Sequence, residues 1–235
     1  MGTPYFKFKN FTIWHDKCAM KVGTDGVLLG SWCEAGNDKS NALDIGTGSG
    51  LIAIMMAQRN PKLIIHGIDI DSNAIEQANQ NIALCPYSDR ITTELVDLND
   101  YIADENKYDF IVSNPPFYEE QTYSGNGQRN LARHTSSLPF SILLQKVSFL
   151  LKEEGIFSVI IPYSATPSFI LSAAEHRLYL SRRTDVANSP LKQPKRSLLS
   201  FRKLNADTLL SKLHIRDAEG FYSEEYLSLT NDFYL

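Results

Sequence analysis

The chain has 235 residues, 43% of them hydrophobic and 21% charged, a balance that supports one sizeable core and excludes wholesale disorder. A formal net charge of −4 excludes a global basic field, so any polyanionic partner must be met by a local patch. The three cysteines, Cys18, Cys33 and Cys85, lie far apart without CxxC spacing; they suggest neither a disulfide framework nor a metal site and read as buried thiols of a reducing compartment. The N-terminus lacks the apolar region of a secretory signal, and no stretch approaches the ~20 apolar residues that span a bilayer, so a monomeric cytoplasmic protein without metal or membrane contact is expected.

Residues 5–14, YFKFKNFTIW, alternate apolar with polar on each side of Lys9-Asn10 and predict a short hairpin burying Phe6, Phe8, Phe11 and Ile13. Thr24 or Asp25 is placed to cap a short helix through Val27, Leu28, Leu29 and Trp32, which Gly36-Asn37-Asp38 breaks. From Asn41 apolar strands alternate with helical stretches. The strands are expected at 41–45, 63–69, 91–96, 108–113 and 156–161. One helix starts at Ser72 as N-cap with Ile75, Ala78 and Ile82 at helical spacing, and another runs from Pro139 until Gly155 stops it. A helix near 167–175 precedes two further strands, 177–186 and 196–203, joined by a loop with Pro190 and Pro194, the arrangement of an antiparallel hairpin. Without a repeat or linker, 1–235 reads as a single α/β domain in which residues 1–36 are appended to a 41–235 core. Its sheet is mostly parallel, seven-stranded and doubly wound, ending in an antiparallel hairpin.

Leu43-Asp44-Ile45-Gly46-Thr47-Gly48-Ser49-Gly50 joins the first parallel strand to a helix, where open α/β sheets bind ligands. Its glycines, 46, 48 and 50, run GxGxG, whereas a nicotinamide loop runs GxGxxG. A carboxylate at Asp44 repels a pyrophosphate and suits the ammonium and sulfonium of S-adenosylmethionine. Asp69 and Asp97 end the next two strands, so parallel topology brings them to the same edge. Asp69 is placed to accept ribose hydroxyls, and Asp97 with Leu98 to accept from an adenine amine and cover its ring. Asp71 reads as a helix-start residue.

The strand 108–113 delivers Asn114-Pro115-Pro116-Phe117 to that edge. An aromatic amine is a poor nucleophile because its lone pair is delocalised into the ring. The Asn114 side-chain carbonyl and the Pro115 backbone carbonyl can each accept one N–H and turn the lone pair toward a methyl donor. Phe117 would stack on the base.

With these residues assembled, the sequence resembles the class I methyltransferases, Rossmann-like enzymes whose amino-methylating members carry Asn-Pro-Pro followed by an aromatic residue. HDKCAMKVGTDGVLLGSW at 15–32, the FKFKNF start and the closing DFYL at 232–235 narrow the resemblance to the tRNA1(Val) adenine-37 N6-methyltransferase family. That resemblance implies methylation of an adenine in tRNA with S-adenosylmethionine and no metal. It also implies that Lys21 and Thr24, in a segment that closes over the cofactor, touch it. An RNA path is then expected along Arg129, Arg133 and His134 and along Arg182, Arg183, Lys192, Lys195 and Arg196, with Arg133, His134, Lys195 and Arg196 the leading contacts. Residues 114–138 read as a long polar loop that moves before substrate binds. Two rivals stay open: methylation of a glutamine amide in a protein, which poses the same amine problem, and a regulatory nucleotide-binding domain that leaves Asn114 idle.

Overall fold

The computed structural model describes residues 3–18, 20–116, 139–205 and 207–235. The hairpin strands β1 (Tyr5–Lys7) and β2 (Thr12–Trp14) pair antiparallel about Lys9-Asn10. Phe8, Phe11 and Ile13 are buried, but Phe6 is 37% exposed, because its ring rests on Phe8 and Tyr234 at the rim of the core. In α1 (Thr24–Trp32) the N-cap is Gly23, not Thr24 or Asp25; the Asp25 carboxylate is drawn into an ion pair with Arg196 at 2.8 Å.

The alternation then proceeds through β3 (Ser40–Ile45), α2 (Leu51–Arg59), β4 (Leu63–Asp69), α3 (Ser72–Leu84), β5 (Ile91–Leu95) and β6 (Tyr108–Ser113). Asp71, not Ser72, caps α3, its carboxylate accepting the Asn73 N–H at 2.9 Å. The helix α4 (Phe140–Leu150) passes directly into β7 (Leu151–Pro162), so Gly155 lies inside a strand instead of stopping the helix. The register with β6 slips there, Leu151 facing Tyr108 and Ile156 facing Phe110. A Cβ on Gly155 would come within 2.8 Å of Leu151, which is the close approach that requires glycine. After α5 (Thr166–Glu175) come β8 (Tyr179–Ala187), β9 (Arg196–Arg202), β10 (Leu209–His214) and α6 (Glu224–Thr230).

All seven expected core strands are present, and β10, absent from the sequence reading, adds an eighth. The order is β10-β8-β9-β7-β6-β3-β4-β5, with β9 antiparallel to both neighbours and the remaining pairs parallel. Side chains alternate across the sheet, and each face has its own core. Ala42 and Val112 pack with α1, α2 and the hairpin, and Leu43 and Ile111 with α4 and α5. β4 and β5 extend to one side of β3 and β6 and β7 to the other, so the chain reverses direction at β3. Such a switch point opens a crevice at the carboxyl ends of β3 and β6. Among the described residues no helix is long and apolar enough to cross a membrane.

Candidate active site

The glycine loop starts at that crevice. The Gly46 and Thr47 N–H groups both donate to the Ile68 carbonyl, at 2.9 and 3.0 Å, lacing the loop to the end of β4. Gly46, Gly48 and Gly50 have φ of 71°, 56° and 79°, a left-handed backbone that strains any residue with a side chain. A Cβ on Gly46 would meet nothing within 4 Å, and one on Gly48 only the Gly46 carbonyl at 4.0 Å, so the loop has an open concave side. Gly50 serves differently: it caps α2 and faces Ala78 of α3. Gly67, which the sequence reading passed over, is equally constrained, since a Cβ there would lie 2.8 Å from Thr47 Oγ1. Its signal was a lone glycine in an apolar strand.

The three acids meet at this edge in different states. Asp44 is fully buried, on the α2 side of the sheet, and accepts the Thr47 hydroxyl at 2.8 Å. Burial pushes its carboxyl up to about 7, against the pull of the Thr47 hydroxyl and the nearby Ala53 amide, and among the described residues Oδ1 makes no hydrogen bond of good geometry. Asp44 therefore lies beneath the loop and is tied to it through Thr47. Asp69 accepts the Gly48 N–H at 2.9 Å and the Asp71 N–H at 3.0 Å, and its burial holds the carboxyl above the usual range. Each of its oxygens keeps a lone pair for a further donor.

The Val96 N–H donates to the Asp69 carbonyl at 3.0 Å, which sets Asp97 beside Asp69. One Asp97 oxygen accepts the backbone and side-chain N–H groups of Asn99, at 2.8 and 2.9 Å. Leu98 is only 5% exposed and packs with Leu43, Ile45 and Ile68 at the rim of the crevice.

β6 brings Asn114 to the other side of the crevice. Ile45 and Ser113 are register partners, and the Ser113 hydroxyl donates to the Ile45 carbonyl at 2.9 Å. Asn114 thus emerges beside Gly46. Its side chain is half-buried and makes no hydrogen bond among the described residues, while Pro115 is buried. Phe117, Arg129, Arg133 and His134 lie outside the described residues.

The segment before α1 runs along the acids. His15 is buried, and because its Nδ1 accepts the Val22 N–H at 3.2 Å, Nε2 carries the proton donated to the Thr3 carbonyl at 3.0 Å. The half-buried Cys18 thiol is pushed up to about 11 by burial and by the charges of Asp69, Asp71 and Asp16, which places it at the acidic edge. Lys21 and Thr24 are exposed and make no side-chain hydrogen bond among the described residues.

The basic residues near the β8–β9 turn divide. Arg183 pairs with Asp185 and Arg196 with Asp25, both at 2.8 Å, and Arg182 lies 4.2 Å over the Trp32 ring. Lys192 and Lys195 are exposed without a side-chain partner among the described residues. A polar cavity of about 750 Å³ opens elsewhere, at the amino edge of β3 near Lys9, Glu34, Arg59 and Asp232. There Lys9 and Gln58 donate to the Asn231 and Asp232 carbonyls, holding the C-terminus to the hairpin and α2.

A buried carboxylate oxygen and an Asn114 amide that make no hydrogen bond among the described residues, a glycine cradle open on one side and an acid with free lone pairs fit a cationic nucleoside beside an amine. Among the described residues no cluster of His, Cys, Asp or Glu could hold a metal ion.

The family model for the methyltransferase small domain matches residues 23–138. Similar curated proteins include the tRNA1(Val) (adenine(37)-N6)-methyltransferase of Phocaeicola vulgatus, 47% identical, with 100% of this chain and 99% of the relative covered. The proteins of the same name from Bacteroides thetaiotaomicron and Flavobacterium psychrophilum are 44% and 43% identical, covering 100% and 98% of this chain and 99% of each relative. Among solved structures, a protein described as a predicted O-methyltransferase from Agrobacterium tumefaciens superposes with a TM-score of 0.70 at 17% identity, over 89% of this chain and 96% of that one. A geranyl diphosphate methyltransferase in complex with SAM gives 0.56 at 12%, over 76% and 84%. Likenesses at such identities concern the fold alone.

Proposed function

This chain belongs to the tRNA1(Val) (adenine(37)-N6)-methyltransferase family, and from that premise we propose that it methylates the exocyclic N6 amine of adenine-37 in tRNA1(Val), using S-adenosylmethionine. When bound, S-adenosylmethionine supplies a methyl group activated by a sulfonium. In this reading Gly46 and Gly48 let the backbone approach it, and the buried charge of Asp44 balances its cations. Asp69 accepts ribose hydroxyls and Asp97 the adenine amine, while Lys21 and Thr24 border the cofactor from the N-terminal segment. Asn114 and the Pro115 carbonyl accept the two N–H bonds of the target amine and turn its lone pair toward the donor, with Phe117 stacking on the base. Positioning and water exclusion supply most of the rate, and the proton leaves after transfer. The enzyme works in the cytoplasm as a monomer, and Lys195, Arg196, Arg133 and His134 meet the RNA.

The observation that carries this reading is the Asn114 amide, without a hydrogen bond among the described residues, one residue past Ser113, whose hydroxyl holds the strand to Ile45 beside the glycine loop. A regulatory nucleotide-binding domain would leave that amide idle. The test is incubation with labelled S-adenosylmethionine and tRNA1(Val), either natural or with guanine in place of adenine-37, followed by nucleoside analysis. Label is expected in N6-methyladenosine of the natural tRNA and absent from the substituted one. Label found only in added cellular protein would instead favour glutamine methylation.

A further inference from the structure

The face of α3 directed at the glycine loop carries two polar side chains, Gln77 and Asn81, both with no exposed surface. Four residues apart, they lie one above the other on the helix. Asn81 Oδ1 accepts the Trp14 N–H at 2.8 Å, while its Nδ2 donates to the Trp14 carbonyl and to the Ser49 carbonyl, each at 2.8 Å. Both amide protons are thus used, on main-chain atoms of two segments distant in sequence. Gln77 Oε1 accepts the Lys17 N–H at 3.0 Å, and Glu76 pairs with the Lys17 ammonium at 2.6 Å. Ala78, between them, faces Gly50, where an added Cβ would lie 3.5 Å from it.

One side of this helix therefore grips the glycine loop and the segment that runs past Asp69. If α3 only filled space there, apolar side chains would serve without burying two amides.

We propose that Asn81 is a positioning residue that couples the glycine loop to residues 14–17, so that ligand binding on the loop seats the N-terminal segment and makes the hairpin part of the cofactor site. The inference rests on the reading of the loop as the S-adenosylmethionine site. Neither residue touches the reacting atoms.

Asn81→Asp keeps the shape and the acceptor for Trp14 but removes both donors. It is expected to weaken S-adenosylmethionine binding about tenfold, while kcat at saturating cofactor stays within about twofold. In the unaltered protein, S-adenosylmethionine is expected to slow hydrogen exchange across residues 12–17, and Asn81→Asp abolishes that slowing. Gln77→Leu frees Lys17 but leaves Ser49 held; it is expected to weaken binding by about threefold and to lose the slowing at Lys17. This variant carries the test if Asn81→Asp does not fold. The proposal is overturned if the unaltered protein binds S-adenosylmethionine without slower exchange at 12–17, or if Asn81→Asp binds it as tightly. If the unaltered protein fails to bind S-adenosylmethionine at all, the cofactor reading falls first and this inference with it.

Discussion

The two ends of the sheet's carboxyl edge treat charge in opposite ways. Where β3, β4 and β5 end, the acids are drawn into the fold: Asp44 is fully buried, and Asp69 is held by backbone amides. Along β8 and β9 and towards their turn, the arginines are already engaged, Arg183 by Asp185, Arg196 by Asp25 and Arg182 by the Trp32 ring. The first end buries carboxyl groups whose ionised forms a cationic ligand would favour. The second has engaged its arginines internally; among the described residues there, Lys192 and Lys195 have no side-chain partner. A motif count would have ranked the two ends alike; the pairing tells them apart.

The largest expected effect comes from filling the cradle. Gly48→Val puts a β-branched residue at a φ of 56° and directs its side chain into the open side of the loop. S-adenosylmethionine affinity is expected to fall on the order of 100-fold by calorimetry. Wild-type affinity would mean that the ligand sits elsewhere.

The next effect sharpens the acid end through pH. Asp44 holds its proton up to about 7 when folded, against an ordinary value of 3.8. The folded chain thus binds a proton that the unfolded chain has lost, and this contribution to stability is fully present below the ordinary value and is lost as pH rises through about 7. Relative to Asp44→Asn, wild-type stability without ligand is expected to decline from pH 4 to pH 8, measured by urea unfolding. Binding of the cationic ligand favours the ionised carboxylate, so affinity rises several-fold over the upper part of that window and stays flat in the variant. Parallel profiles would remove Asp44 from the account.

The smallest effects probe the basic end. Lys195→Ala is expected to lower the salt slope of tRNA binding by about one. Arg196→Ala breaks a half-exposed ion pair and is expected to lower stability by at most about 1 kcal/mol, with a smaller change in slope. Equal slopes for the two variants would erase the distinction between open and matched cations.

The ligand edge was legible because apolar strands at regular intervals end in Asp44, Asp69, Asp97 and Asn114, and parallel pairing alone brings such ends together. What escaped was decided by long-range partners. The Arg196–Asp25 pair joins residues 171 positions apart, so the charge of Arg196 looked free. Nothing local shows that Leu98 packs with Leu43 and Ile68. β10 was missed because Leu209 and Leu210 are both exposed on an edge strand, which destroys the alternation that marks a strand. Gln77 and Asn81 gave no signal in the sequence: polarity predicts exposure until another segment's backbone supplies the bonds.

In the proposed division of labour the acids and glycines hold the methyl donor while Asn114 aims the amine. Single-turnover transfer to tRNA1(Val) by Asn114→Ala, at saturating S-adenosylmethionine and with cofactor affinity measured on the same sample, tests it most directly. Transfer is expected to drop by roughly 10³-fold or more with affinity within about threefold of wild type. Undiminished transfer would contradict the claim.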